Sequence, residues 1–571
     1  MKYMPEKVRL WLFTSIPFFF LCSLSPVFAQ QEYPASALPD IRLEQLPEEI
    51  STEVPFEITT PKASPSRAPA GAEKIRFVLA GLNIKGATVY SKADFEQLYA
   101  EFLDEEVSLA QVYDFIAAIQ RMYRRDGYFL TRVILPPQTA RDGRLNVVVV
   151  EGFISDVKIQ GDIGPVEDKV DAYLSNILDQ RPLKLETLER FLLLVRDIPG
   201  VSVEGILTPS PDTPGAAQLV ATVERDHFEG FALIDNMGTA FTGEWEIAGG
   251  FMSNSFTRHG EQFGITALVS DPLEGVGSDK KNQKVAQLSA SVRPGSQGYY
   301  ATFLGSYGDS NPGGLITQFD FDSTTLLLSL IGGKAIIRSR ERKVDVDLGF
   351  EYIDNDTDIF GNVKFSRDRL RVLHLSASTD GIDKWRGSNF ARLGIRQGLP
   401  IMGASEEGDD FLSRADGSGT FTSVQAAASR LQAITGPTAV FLRLAGQYSF
   451  DNLLSYEEFA VGGVHFGRGY DPKELSDDHG IGFTGELQFS WPTTRWFLQS
   501  YQLFAFYDFG KVWDRGNDES NSLSSAGGGV RLWAAHDTSM ALQVAKPLTR
   551  DSLRADSTRD PQLLFRINTR F

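Results

Sequence analysis

Between Lys343 and Tyr352 the chain alternates strictly. Val344, Val346, Leu348, Phe350 and Tyr352 are apolar, while Lys343, Asp345, Asp347, Gly349 and Glu351 are charged or small. A two-residue period puts the first set on one face of a β-strand and the second on the other. Similar alternation runs through "GYYATFLGSY", through "FLRLAGQYSF" with Leu442, Leu444, Tyr448 and Phe450, and through the final "LLFRINTRF", where Leu563, Phe565, Ile567, Thr569 and Phe571 share a face. After Phe228 the helical period largely disappears. A soluble sandwich also alternates, but seldom over so long a stretch with so many polar loops. Lipid outside and water inside produce the pattern directly, at about 10 residues per strand. At about 21 residues per strand and loop, residues 227–571 predict an all-β transmembrane barrel of about 16 antiparallel strands.

Upstream the period is mixed. Ser91 caps a predicted helix whose apolar face is Phe95, Leu98, Tyr99 and Phe102. Ser108 and Gln111 form a capping box that opens a second helix, facing inward with Val112, Phe115, Ile116, Ile119, Met122 and Tyr123. Asp126-Gly127 ends it, and "YFLTRVILPP" and "RLNVVVVEG" follow as strands. The order then repeats: the strand "DVKIQG", a helix opened by Pro165, a helix through Leu185, Leu188, Leu192 and Val195 stopped by Pro199-Gly200, and the strands "VSVEGILTP" and "AQLVATVER". A β-α-α-β-β unit therefore occurs twice, at 74–152 and 153–226, which predicts two tandem α+β modules ahead of the barrel.

Lys2, Lys7 and Arg9 precede an apolar run, Leu10 to Leu24, that is broken by Thr14, Ser15, Pro17 and Ser23 and followed by a small residue at Ala29. This predicts a signal peptide over 1–29 and an exported chain. Cys22 is the one cysteine, so a chain cut after Ala29 relies on no disulfide. Residues 30–73 are rich in proline, serine, alanine and glutamate and read as a linker, with a short helix around Ile41 to Ile50. No later segment offers eighteen uninterrupted apolar residues, which argues against a membrane-spanning helix.

Composition narrows the function. A formal net charge of −18 disfavours a broad phosphate-facing surface, so nucleic acid is not an expected partner. The six histidines are scattered singly. There is no His-Glu-x-x-His, no phosphate-binding glycine loop and no Gly-x-Ser-x-Gly, so no enzyme, metal or cofactor is expected.

Several stretches carry a more specific signal. "YRRDGYFLTRVILPPQ", "GRLNVVVVEG" and "LKLETLERFLLLVRDIPGV" lie in the two modules, and "DNMGTAFTGEWE" lies at the start of the barrel. "GGVHFGRGYDPKELSDDHGIGFTGEL" is followed by "FAFYDFGKVWD". Together they resemble the two-partner secretion transporters, outer-membrane pores of the haemolysin secretion/activation family that carry periplasmic POTRA modules. The resemblance covers nearly all of the chain beyond the signal peptide. It implies a pore that moves one large, unfolded, haemolysin- or adhesin-like exoprotein from periplasm to cell surface without a cofactor. The exoprotein would add strands to the module edges. The resemblance also implies contact with outer-membrane lipid and with the barrel-assembly machinery. A rival reading is an assembly factor of the same superfamily that inserts other barrels.

The resemblance also assigns residues. Arg468, Gly469 and Tyr470 would form a loop motif folded back into the lumen, and Phe506, Asp508 and Gly510 a motif on the barrel wall. Arg468 would pair with Asp508, Gly469 would allow close approach, and Tyr470 would pack beside them. Phe571, a terminal aromatic, resembles the signal by which such barrels are inserted. Gly467 stands where the family usually has valine.

Overall fold

The structure, a computed structural model, describes residues 58–59, 68–139, 141–272, 282–495, 497–516, 520–553 and 558–571. The expected signal peptide, the expected helix around Ile41 to Ile50 and most of the linker lie outside these residues.

The first module opens after the short strand β1 (Ile58–Thr59). It contains β2 (Arg76–Val78), β3 (Gly81–Lys85), β4 (Glu106–Ser108), β5 (Arg132–Ile134) and β6 (Arg144–Val150). Its main sheet has the order β3-β6-β5, with β2 and β4 as a separate ribbon. The long helix Leu109–Arg125 starts where the capping box predicts. Ser108 Oγ accepts from the Gln111 N–H at 3.2 Å, and Gln111 Oε1 accepts from the Ser108 N–H at 2.8 Å. The preceding helix is shorter than its apolar spacing suggests. It runs Lys92–Glu96, and after Tyr99 leaves helical geometry a single 3-10 turn covers Ala100–Phe102. Phe95 and Tyr99 nevertheless reach the same core. Burial of two rings is satisfied across a break in the backbone hydrogen bonds, which a count of apolar positions cannot register.

The second module contains β7 (Phe153–Gln160), helices Glu167–Leu174 and Leu185–Arg196, β8 (Val201–Pro209) and β9 (Ala216–Arg225). Its sheet order is β1-β8-β9-β7, so β1 extends the β8 edge in parallel, with Ile58 opposite Gly205. Val170, Tyr173, Leu188, Leu192, Val195 and Leu219 fill the core, which also takes in Ala335 of the barrel. Arg190 donates to the carbonyls of Ala335 and Ile336, and Arg338 pairs with Asp197 at 2.9 Å. The module is thus seated on the turns at one end of the barrel.

The barrel is closed and has 16 strands. In chain order they are β10 (Phe228–Asp235), β11 (Glu246–Asn254), β12 (Gln262–Ser270), β13 (Asn282–Val292), β14 (Tyr299–Asn311), β15 (Asp322–Arg338), β16 (Arg342–Ile359), β17 (Val363–Ile382), β18 (Gly387–Gly398), β19 (Thr422–Thr435) and β20 (Thr438–Ser449). After a long connection with its own ribbon of β21 (Phe459–Val461) and β22 (Leu475–Asp477) come β23 (His479–Arg495), β24 (Leu498–Trp513), β25 (Ser520–Ala534), β26 (Thr538–Pro547) and β27 (Gln562–Arg570). Every neighbouring pair is antiparallel, and β10 closes on β27 through Phe231–Asp235 against Arg566–Arg570. Along β16 the alternation has a definite sense. Val346 and Leu348 face outward and are exposed, whereas Asp347, Glu351 and Asn355 face inward and are buried. Among the described residues no helix is long and apolar enough to cross a membrane.

Candidate functional site: a loop anchored inside the barrel

The connection between β20 and β23, residues 450–478, bends back into the lumen. Its place there follows from the strand faces it touches. On β24, Leu503 and Tyr507 are exposed to the outside, while the alternate positions Phe504, Phe506 and Asp508 are buried. The loop meets this buried set.

Three glycines permit the approach. Gly467 has φ of 149°, and a β-carbon there would lie 2.6 Å from Leu523 Cδ1, so a β-branched side chain such as valine would not fit this backbone. A β-carbon on Gly469 would come within 2.8 Å of the Pro547 nitrogen, and one on Gly510 within 2.6 Å of Val461 Cβ. The wall glycine thus clears space for the ribbon of the loop.

Between these glycines Arg468 is 5% exposed. Its Nε and Nη2 donate to the two oxygens of Asp508 at 3.1 and 3.0 Å, and its backbone N–H adds a third bond to Asp508 at 3.0 Å. The guanidinium lies 3.5 Å above the Phe506 ring centroid. Asp508 is fully buried and also accepts from Thr484 at 3.1 Å and Ser525 at 3.2 Å. A buried ion pair is tolerated only when its remaining hydrogen-bonding sites are filled, and here they are. Tyr470 is buried beside the pair. Its hydroxyl donates to the Ser524 carbonyl at 3.1 Å and accepts from the Thr549 and Arg550 N–H groups at 3.3 Å each. Phe571 follows the end of β27, is 75% exposed and exchanges backbone hydrogen bonds with Gly230 on β10.

The structure adds two charged groups to this set. Glu486 on β23 accepts from Arg468 Nη1 at 2.9 Å, and its other oxygen accepts from Arg531 on β25 at 2.6 Å. The cluster therefore holds two arginines and two carboxylates in the chain Asp508–Arg468–Glu486–Arg531. Glu486 occupies an inward position in "GFTGELQF", and strand parity alone marks it as a lumenal carboxylate. Nothing in the sequence pattern links it to Arg468. Elsewhere, Asp477, Asp478 and Asp514 come together, but Arg414 bonds Asp478 and Asp514 at 2.7 Å each, so the protein itself supplies a cation there.

Residues 217–532 match the family described as haemolysin secretion/activation protein ShlB/FhaC/HecB, and residues 77–152 match the ShlB-type POTRA domain. The chain belongs to this haemolysin secretion/activation family. It is an outer-membrane transporter of the two-partner secretion type that acts with a secreted exoprotein, and its POTRA modules lie in the periplasm. The match to this family decides for secretion over the barrel-assembly reading. Among its relatives, the heme/hemopexin transporter protein HuxB of Haemophilus influenzae is 23% identical over 477 residues, which cover 81% of the transporter and 82% of HuxB. The outer membrane transporter CdiB of Escherichia coli O6:K15:H31 is 22% identical over 199 residues, 34% of each chain. Solved structures of CdiB share the fold. The Escherichia coli protein has a TM-score of 0.73 at 19% identity, covering 90% of the transporter and 93% of that chain. The Acinetobacter baumannii protein has a TM-score of 0.64 at 14% identity, covering 90% and 95%.

Proposed function

We propose that the transporter receives its exoprotein unfolded in the periplasm and passes it through the barrel under the control of the loop 450–478. In this reading 1–29 is a signal peptide, 30–73 a linker, 74–152 and 153–226 the receiving modules, and 227–571 the pore. Incoming segments add as strands to module edges. Arg468 holds the loop in its resting position, with Asp508 and Glu486 as its wall partners, Gly469 giving clearance and Tyr470 packing alongside. The observation that carries the reading is a buried, fully bonded Arg468 between two wall carboxylates inside the lumen. A guanidinium so placed holds the loop firmly, yet withdrawing it leaves Arg531 as a partner for Glu486.

The outward apolar face contacts outer-membrane lipid, and the strand ending at Phe571 is read by the barrel-assembly machinery. Transport uses neither cofactor nor catalysis. The test of the receiving role is deletion of residues 74–152. Secretion of the exoprotein is expected to stop while the barrel remains inserted and heat-modifiable on gels; unimpaired secretion would place recognition elsewhere.

A further inference from the structure

Buried charge ties loop 450–478 to the wall at a second place besides the Arg468 cluster. Near the start of the loop, Glu457 is 3% exposed and accepts two parallel bonds from Arg396 on β18, Nε to Oε2 and Nη2 to Oε1, both at 2.8 Å. Arg396, itself 7% exposed, also donates from Nη2 to Glu351 on β16 at 2.6 Å. Gln447 on β20 holds the Glu457 carbonyl at 2.9 Å. A paired, two-bond contact between a guanidinium and a carboxylate fixes direction as well as distance. In the closed sheet β19, β20 and β23 separate β18 from β24, so a single loop is held on two different stretches of wall.

The segment beside Glu457 fills space between them. Leu453 and Leu454 are fully buried and share one apolar cluster with Leu412 and Phe421 of the β18–β19 connection and with inward-facing Leu327, Ile353, Leu370 and Val372. An apolar cluster inside the barrel excludes water where a passing chain needs it. The Leu453 N–H is held by Asp478 Oδ1 at 2.7 Å, at the other end of the same loop.

We propose that Glu457 and Arg396 form a second lock, opposite in sign to the first, that positions Leu453 and Leu454 as a plug, and that both locks release for transport. The inference rests on the reading of loop 450–478 as the gate. The two locks have a common logic. In each, one charge belongs to the loop and one wall group that it grips keeps a second ionic partner: Glu486 keeps Arg531, and Arg396 keeps Glu351. Release therefore leaves Glu486 and Arg396 paired, which lowers the cost of opening at those two groups, while Asp508 keeps the hydroxyls of Thr484 and Ser525. The loop withdraws one cation and one anion, so it carries no net lock charge with it.

The test uses the full chain, purified and inserted in planar bilayers without exoprotein. Glu457→Gln keeps the shape and removes the charge. It is expected to raise the open-to-closed ratio roughly tenfold, with Glu457→Asp closer to wild type and the exchange Arg396→Glu with Glu457→Arg partly restoring closure. Inserted Glu457→Gln and Arg396→Gln barrels that both gate like wild type would overturn the proposal. A second variant guards against failure of insertion. Arg396→Cys with Glu457→Cys, in a chain whose single native cysteine is Cys22, is joined by a reducible bis-thiosulfonate. Conductance is expected to fall on linking and return on reduction; linked barrels that conduct like reduced ones would also overturn it. Because conductance is read without exoprotein, failure here leaves the transport reading standing. That reading fails instead if gating responds as expected and secretion by the linked and reduced forms is the same.

Discussion

In the second periplasmic module Leu188, Leu192 and Val195 turn inward and are fully buried. In the barrel Leu328, Leu330 and Leu348 turn outward and stay exposed, while Asp347, Glu351, Arg396 and Asp508 take the inside. The two regions solve the same burial problem against different solvents. A helix in water hides its apolar stripe against a sheet, whereas a strand in lipid shows its apolar face and hides its charges. The inside of the barrel is therefore free to hold paired charges, and those pairs can act as fastenings for a loop that crosses it.

This contrast is open to direct tests. Leu192→Ala empties part of the module core and should cost about 2–5 kcal/mol there, read as increased protease sensitivity of the modules with the barrel still heat-modifiable. Equal sensitivity in both regions would mean that they do not behave as separate bodies. Leu330→Arg, at a mid-strand position on β15 that is 58% exposed, should cost about 2–4 kcal/mol for insertion into a bilayer. Normal folding yield of that variant into lipid vesicles would show that this face does not meet lipid.

A third effect, dependent on pH, is expected from Glu474, in the loop. Burial, reinforced by Asp471, lifts its carboxyl to about 7, against opposing hydrogen bonds from the Asp471 and Leu553 N–H groups and the charge of Arg550. A carboxyl raised above its unfolded value of about 4.3 favours the docked, protonated loop at low pH. Loop docking should accordingly be strongest below about pH 4.3 and weaken as pH rises through about 7. The open fraction should rise across that window in wild type and rise less in Glu474→Gln, where Asp477 of the same loop, lifted by burial to about 6, still titrates.

Much of the architecture was legible in the chain because period-two alternation and capping are local. Lys343 to Tyr352 declares which residues share a face, and Ser108 with Gln111 declares where a helix starts. The helix after Ser91 is shorter than its apolar spacing implies, since Phe95 and Tyr99 reach one core across a backbone break. The extension of the module sheet by β1 had no local signal either. At the site, the family resemblance singled out Arg468 and Asp508, which lie within hydrogen-bonding distance. Parity could mark Glu486, Arg396 and Glu351 as inward, but not that Arg468 or Glu457 would reach them. Those contacts depend on how residues 450–478 cross the lumen, and no run of neighbouring residues encodes that path.

In this reading Arg468 fastens the loop to the wall through Asp508. Arg468→Ala and Asp508→Ala, singly and together, would be compared by the open-to-closed ratio of single channels in planar bilayers at matched barrel abundance. The presence of Glu486 makes alanine the better choice over a charge exchange, because an aspartate at 468 would face it. Each single change should favour opening and the double variant should open little further, a coupling of about 0.5–3 kcal/mol. Strictly additive effects, or single variants that gate like wild type, would contradict it.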